Sequence, residues 1–235
     1  MFQLRPSDAR GTADFGWLDS KHSFSFGNYY DANHMGFRNL RVINEDKVLP
    51  NKGFGTHGHK DMEIISYVIS GQLAHKDSMN NGSTIVRGDV QRMSAGTGVR
   101  HSEFNASNNE TVHFLQIWIL PNQNNHTPGY EERNFAGDRH NTLRLMVSGD
   151  SGADALHINA DIQLFGSELD AGQSVTHDFS AGRYGWIQVI KGSLTVSDGS
   201  LSHTLSAGDG LGISKVSELT MLAESDCEFL LFDLP

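Results

Sequence analysis

Two short segments decide the fold: GFGTHGHKDMEII, residues 53–65, and GTGVRHSEFN, residues 96–105. The first holds His57 and His59, and the second holds His101 and Glu103. Side chains of a β-strand alternate between its two faces, so residues two apart share a face. If both segments are strands, the four groups can meet in a barrel interior. The residues therefore predict a metal site of three imidazoles and one carboxylate, with open positions for substrate, water or O2.

The spacing of the second motif gives this prediction its weight. The chain holds 12 His residues, so one His-x-His pair can arise by chance. The second motif, in which His101 and Glu103 follow glycine-containing turns, favours the metal site. Glu63 is a further candidate, because it lies on the face of His59 if the strand is straight. The pattern from Asp61 to Glu63 is equally consistent with a solvated strand entry.

Composition limits the classes of protein to consider. With 18 Lys and Arg against 28 Asp and Glu, the net charge is −10. Such a chain is a poor candidate for direct nucleic-acid binding, which needs clustered cations. The single Cys227 is expected to be a buried thiol in a reducing compartment. No apolar run reaches about 18 residues and no leader pattern opens the chain, so a cytoplasmic protein without a membrane span is expected.

The turn pattern predicts an all-β protein with an internal duplication. Short apolar runs alternate with glycine-containing turns, and long helical periods are absent. The spacing of residues 186–192 and 207–212 parallels that of residues 64–71 and 87–96. We predict a metal-binding domain over residues 1–121, a linker over 122–141 with a turn or short helix near Tyr130, and a second domain over 142–235. In the second domain His177 is followed by Phe179 two residues later, so no metal is expected there.

Other side chains have weaker signals. An aromatic group near the start is expected to cap a barrel end, with a wall over the metal cavity as the alternative: Trp17, Phe24, Phe26, Tyr29 and Tyr30. Gln116 and Trp118 are candidates for the cavity wall, and His113 is expected to be structural. His22 and His34 are expected on the surface or in loops, and His75 as a satisfied or exposed strand residue.

The segment from Gly53 to Glu103 resembles the metal-binding half of a pirin, a family in the cupin superfamily. It departs from the general cupin pattern in four places: Asn51 replaces a Gly, one extra residue precedes Gly71, Ser94 replaces a Pro, and four residues rather than two separate Gly96 from His101. All four departures are similar to the pirin variant, whose second motif ends in His-Ser-Glu. The upstream run WLDSKHSFSF, residues 17–26, is also pirin-like.

This resemblance implies a bicupin, that is, two tandem cupin barrels of the jelly-roll type. It implies one divalent metal ion held by His57, His59, His101 and Glu103. Fe(II) is the expected ion, and Zn, Ni, Mn, Cu or Co are compatible with the same ligands. The implied activity is that of a quercetin 2,3-dioxygenase, which opens the heterocycle of a flavonol with O2 and releases carbon monoxide. Glu103 is then the candidate catalytic base for the flavonol 3-hydroxyl.

Two alternatives remain at this stage. Some pirins resemble regulatory proteins that bind a transcription factor or an enzyme, with the oxidation state of iron as the switch. A cupin isomerase of sugar phosphates is the weaker alternative, because phosphate needs Lys or Arg. Only three arginines lie near the motifs: Arg87, Arg92 and Arg100.

Overall fold

Strands make up nearly all of the regular structure in the computed structural model, which describes residues 1–235. The only helical element is a 3₁₀ turn at Ser7–Ala9. No helix is long and apolar enough to cross a membrane. The all-β prediction is therefore confirmed.

The chain forms two compact units, each assembled from separate segments. The amino-terminal barrel comprises Gly11–Phe135 and Leu156–Ala160. The carboxy-terminal barrel comprises Met1–Arg10, Ala136–Ala155 and Asp161–Pro235. The domain boundaries expected from the sequence, at residues 121 and 142, stay a prediction.

Two antiparallel sheets build the amino-terminal barrel. Its strands are β2 (Gly11–Asp14), β3 (Leu18–His22), β4 (Leu40–Val48), β5 (Gly53–His59), β6 (Glu63–Ser70), β7 (Gln72–Asp77), β8 (Gly82–Val86), β9 (Asp89–Ser94), β10 (Val99–Asn105), β11 (Val112–Ile119) and β12 (Gly129–Asn134). One sheet has the order β12-β9-β6-β11-β4-β3-β2, and the other has the order β5-β10-β7-β8. Apolar residues from both sheets form one buried cluster: Leu18, Val48, Val68, Leu73, Ile85, Val112 and Phe114.

A band of polar residues lies inside this barrel beside the apolar cluster. Neighbouring strands place Asn44, Gln116 and Ser66 opposite one another, and all three are buried. Other members of the band are Ser20, His22, Asp46, His75, Gln91, His101 and Glu103. Buried polar groups are retained when they find hydrogen-bond partners, and His22 Nε2 lies 2.9 Å from Ser20 Oγ. The expectation that His22 is a surface residue was wrong, because alternation along β3 turns it inward.

The carboxy-terminal barrel repeats this design. Its strands are β1 (Phe2–Arg5), β13 (Arg144–Ser148), β15 (Gln163–Leu169), β16 (Ser174–Asp178), β17 (Tyr184–Lys191), β18 (Ser193–Ser197), β19 (Ser202–Ser206), β20 (Gly210–Ser214), β21 (Glu218–Ala223) and β22 (Cys227–Leu234), while β14 (Leu156–His157) belongs to the other unit. One sheet contains β1-β20-β17-β22-β15-β13 in that order, and the other has the order β16-β21-β18-β19. Cys227 is buried in the apolar core, and burial raises the pKa of its thiol to about 12.

The expected linker contains a strand. Residues 129–134 form β12, which pairs with β9 and places Tyr130 opposite Met93. The expectation of a turn or short helix near Tyr130 was wrong. The edge of β9 offers backbone hydrogen bonds that a polar segment can accept, and the local sequence does not reveal that edge.

Gly192 provides a test of the turn geometry. It has φ +78, and a Cβ there would lie 2.1 Å from the carbonyl oxygen of Asp226. Gly199 has φ +84 with nothing near its Cβ position. A left-handed backbone costs roughly 1–2 kcal/mol for a non-glycine residue, and overpacking adds about 1–3 kcal/mol. Gly192→Ala should therefore lower the free energy of unfolding in urea clearly more than Gly199→Ala. Equal losses would contradict the close approach.

Asp46 on β4 gives a pH-dependent prediction. Burial raises the pKa of its carboxyl from 3.8 to about 7, the Ser20 hydroxyl opposes this, and the charge of Glu103 adds to it. The folded state therefore holds a proton that the unfolded chain releases, so this group's contribution to stability falls as pH rises from about 4 to about 7. Relative to Asp46→Asn, the metal-free wild type should lose on the order of 3 kcal/mol over that range. Urea unfolding at several pH values measures it, and a difference independent of pH would contradict the prediction.

Candidate metal centre

The pairing of β10 with its two neighbours assembles the site. His101 lies opposite His57 on β5, and Glu103 lies opposite His75 on β7. Directly opposed residues of antiparallel strands point to the same side of the sheet. His57 and His59 share that face by strand alternation. The register therefore gathers imidazoles and a carboxylate on the face that lines the barrel interior.

Three imidazoles form a tight group. Each of His57, His59 and His101 offers a nitrogen within 4.8 Å of the other two. His101 Nε2 lies 3.1 Å from His57 Nε2. Metal–nitrogen bonds of about 2.0–2.1 Å put neighbouring ligand atoms about 3 Å apart. His57 Nδ1 donates to the Gly55 carbonyl oxygen at 2.8 Å, which leaves the lone pair of Nε2 directed at His101.

The environment favours uncharged imidazoles. Burial lowers the pKa of His59 to about 4, and repulsion from His101 and His57 adds to the effect. Burial also lowers the pKa of His101 to about 3, with repulsion from His57 and His75. A neutral imidazole keeps the lone pair that a metal ion requires. The donor set therefore fits a divalent transition-metal ion at neutral pH.

Glu103 is anchored deeper in the barrel. Its oxygens accept hydrogen bonds from Ser66 Oγ at 3.0 Å and from Gln116 Nε2 at 2.7 Å. Glu103 forms a second potential ligand group with His101 and His75, whose ligand atoms all lie within 4.8 Å of one another. His101 belongs to both groups. Of the four residues predicted from the sequence, His57 and His59 thus form one group with His101. Glu103 belongs to the other group, with His101 and His75.

The site has an aromatic side and a half-exposed side. The Trp118 ring packs edge-on against His59 with centroids 5.0 Å apart, and Phe26 packs against Trp118 at 5.3 Å. His57 and His59 are half-buried, whereas His101 is buried. Phe26 therefore belongs to the wall near the site. Trp17 instead packs against Phe54 and the apolar cluster, so the predicted aromatic group divides between the two roles.

Two residues considered in the sequence have structural contacts. Glu63 is only 1% exposed and accepts hydrogen bonds from Ser94 Oγ at 2.8 Å and Asn159 Nδ2 at 3.2 Å. Glu63 belongs to neither ligand group. Because it is buried, the alternative interpretation of residues 61–63 as a solvated strand entry was wrong for Glu63. His113 lies 2.8 Å from Glu45, which confirms its structural role, while Gln116 and Trp118 face the site as predicted.

Sequence reasoning undervalued His75. Its side chain is fully buried, and its ring centroid lies 5.2 Å from that of His101. The available signal was its alternation with Asp77 on a predicted strand, which gives both side chains one face. The register of β7 against β10, which the sequence does not specify, brings that face to the site.

The carboxy-terminal barrel uses the corresponding strands differently. In the sheet β16-β21-β18-β19, His177 on β16 lies opposite Leu219 on β21, where the first barrel pairs His57 with His101. His177 Nε2 lies 2.9 Å from Asp233 Oδ2, and its ring packs against Phe179. These contacts give His177 a structural environment of one carboxylate and apolar rings.

Comparison with known families covers both barrels. The family model described as Pirin matches residues 3–119. The model described as Quercetinase C-terminal cupin domain matches residues 145–234. The two matches support the bicupin organisation expected from the sequence.

Full-length relatives agree with these matches. The chain is 46% identical to quercetin 2,3-dioxygenase of Escherichia coli strain K12 over 235 residues, covering 100% of this chain and 99% of the relative. It is 41% identical to the pirin-like protein of Caulobacter vibrioides, covering 99% of each. The crystal structure of bacterial pirin YhhW from Escherichia coli in complex with nickel(II) superposes with a TM-score of 0.94 at 46% identity, covering 100% of this chain and 99% of that one. With the site geometry, these similarities lead to one conclusion: the chain belongs to the pirin family.

Proposed function

We propose that this protein is a metal-dependent quercetin 2,3-dioxygenase that cleaves a flavonol with O2 and releases carbon monoxide. The observation that carries the proposal is the group of three imidazoles beside a buried carboxylate, open on the side of His57 and His59. A relative that shares 46% of its residues over the full length bears the name of that enzyme.

In this proposal His57, His59, His101 and Glu103 hold one divalent ion, and Fe(II) is the proposed ion. The related bacterial pirin forms a complex with nickel(II), which supports the proposal that this protein binds a divalent ion. A bound ion of this kind would supply a Lewis acid for the flavonol oxygens and the redox chemistry that O2 requires.

Glu103 is the proposed general base. Its carboxylate is held by the Ser66 hydroxyl and the Gln116 amide, which fix the direction of its oxygens. A carboxylate in this position can accept the proton of the flavonol 3-hydroxyl, which makes the substrate electron-rich enough to react with O2. Positioned general bases contribute about 10²–10⁴-fold to rates.

The aromatic side of the site suits a planar substrate. Trp118 and Phe26 pack together near His59, and Ile64, Met93 and Val99 form a buried apolar cluster against Trp118. Apolar and aromatic walls with a few polar groups are typical of small-molecule sites. These side chains would bind the flavonol rings and exclude water from the reacting carbons.

The ligand assignment predicts that His101→Ala loses most bound metal. His101 belongs to both ligand groups, so its removal leaves neither complete. Metal analysis after equilibration with Fe(II) or Zn(II) measures the loss, and circular dichroism should show an unchanged β fold. Glu63→Gln is the matched control, because Glu63 is a buried carboxylate outside both groups, and it should keep its metal. Full occupancy of His101→Ala would overturn the assignment.

The activity itself is tested by quercetin consumption with carbon monoxide detection. Protein reconstituted with Fe(II) should turn over quercetin and release carbon monoxide, and the metal-free protein should not. Glu103→Gln should lower kcat by about 10²–10⁴-fold if it removes the base. Absence of turnover with Fe(II) and with every other candidate ion would reject the dioxygenase and leave the iron-dependent regulatory protein as the next hypothesis to test.

A further inference from the structure

Two buried imidazole nitrogens beside the site have no hydrogen-bond partner. They are His101 Nδ1 and His75 Nε2. The two rings are neighbours, with centroids 5.2 Å apart. A buried polar atom without a partner destabilises the folded state, so two such atoms on adjacent rings call for a physical explanation.

The chemistry of ligation defines what His101 Nδ1 requires. His101 Nε2 faces His57 Nε2 at 3.1 Å, so Nε2 is the nitrogen available to a cation. A neutral imidazole that gives one nitrogen to a cation carries its proton on the other. Ligating histidines usually donate that N–H to a nearby acceptor. His57 already does so through its bond to the Gly55 carbonyl oxygen, whereas His101 lacks an equivalent.

His75 is the neighbour that can accept this proton. Its side chain is fully buried, and its Nδ1 lies 3.3 Å from the side-chain nitrogen of Gln91. If His75 Nε2 accepts from His101, the proton of His75 must lie on Nδ1. A flip of the Gln91 side-chain amide then directs its carbonyl oxygen at His75 Nδ1–H. This flip requires no movement of the backbone.

The same amide flip suits the next residue. It directs the Gln91 amide NH₂ toward Tyr130 Oη, which lies 3.3 Å from the Gln91 side chain. Burial raises the pKa of Tyr130, so its hydroxyl stays protonated. That hydroxyl donates to Glu132 Oε2 at 2.6 Å, and Glu132 is exposed to solvent. Each group in the series can then have a matched donor or acceptor.

We propose that His75 is a positioning residue that fixes the tautomer of His101 through a hydrogen-bond relay from His101 to His75, Gln91, Tyr130 and Glu132. In the loaded protein His101 Nδ1–H donates to His75 Nε2, and His75 Nδ1–H donates to Gln91. The inference rests on the proposed role of His101 as a metal ligand. It assigns a positioning role to a buried side chain outside the proposed ligand set of His57, His59, His101 and Glu103.

Two carboxylates, Asp77 and Glu103, compete as partners for these nitrogens. Asp77 Oδ2 lies 3.6 Å from His75 Nε2, which is longer than a hydrogen bond, and Asp77 already accepts three N–H groups from Met79 and Asn81. Glu103 already accepts from Ser66 and Gln116. If Asp77 were the partner of His75, the proton of His75 would lie on Nε2. If Glu103 were the partner of His101, His75 would not need to accept.

The tautomer of His75 distinguishes the relay from an Asp77–His75 hydrogen bond. Nitrogen-15 NMR of the imidazoles in Zn(II)-loaded protein should show His75 protonated at Nδ1 and unprotonated at Nε2. Protonation of His75 at Nε2 would overturn the relay. This readout does not depend on turnover. If the protein shows the predicted tautomer but does not cleave quercetin, the proposed function is rejected and the relay is retained. If Zn(II) leaves the His101 signals unshifted, the ligand assignment and the relay both fail.

Variants provide a second readout. His75→Leu should weaken Zn(II) binding about 10–100-fold in a chelator competition, as expected for loss of a ligand's hydrogen-bond partner. His75→Gln, which restores an acceptor, should recover part of that loss. His113→Leu is the control, because its ring pairs with Glu45, and its affinity should equal that of the wild type. Wild-type affinity in His75→Leu, or no recovery in a folded His75→Gln, would reject the proposal.

Discussion

The register of β10 between β5 and β7 is the constraint on which the site depends. It sets His101 opposite His57 on one side and Glu103 opposite His75 on the other. A shift by one residue would turn every side chain of β10 to the opposite face. His101 and Glu103 share the inner face because they lie two apart on β10. The pairing with β5 shifts between them, so His101 lies opposite His57 and Glu103 lies opposite Phe54.

The polar interior of the amino-terminal barrel is the second constraint. The band of buried polar residues lies between two apolar clusters. Members of the band form hydrogen bonds with one another. Glu103 is held by Ser66 and Gln116, and His57 by a backbone carbonyl. Side chains fixed in this way lose little freedom when a ligand binds, which is the physical basis of a preorganised site.

The two barrels show how one architecture supports different interiors. Both contain a four-stranded sheet, β5-β10-β7-β8 or β16-β21-β18-β19. Both also use a glycine with positive φ where the chain passes from one sheet to the other, Gly71 between β6 and β7 and Gly192 between β17 and β18. In the carboxy-terminal barrel the position opposite His177 is Leu219, and His177 turns to Asp233. The chemistry of the interior thus depends on a few inward positions, while the turns and the core maintain the fold.

The sequence by itself determined the all-β class, the duplication, the pirin resemblance and the candidates His57, His59, His101 and Glu103, because strand period and spacing are local properties. Only the tertiary structure decided that His75 lies beside His101, that Glu63 binds Ser94 and Asn159, and that residues 129–134 pair with β9. These facts depend on strand register and on contacts between residues far apart in the chain. Side-chain alternation fixes which residues share a face, but not which faces meet.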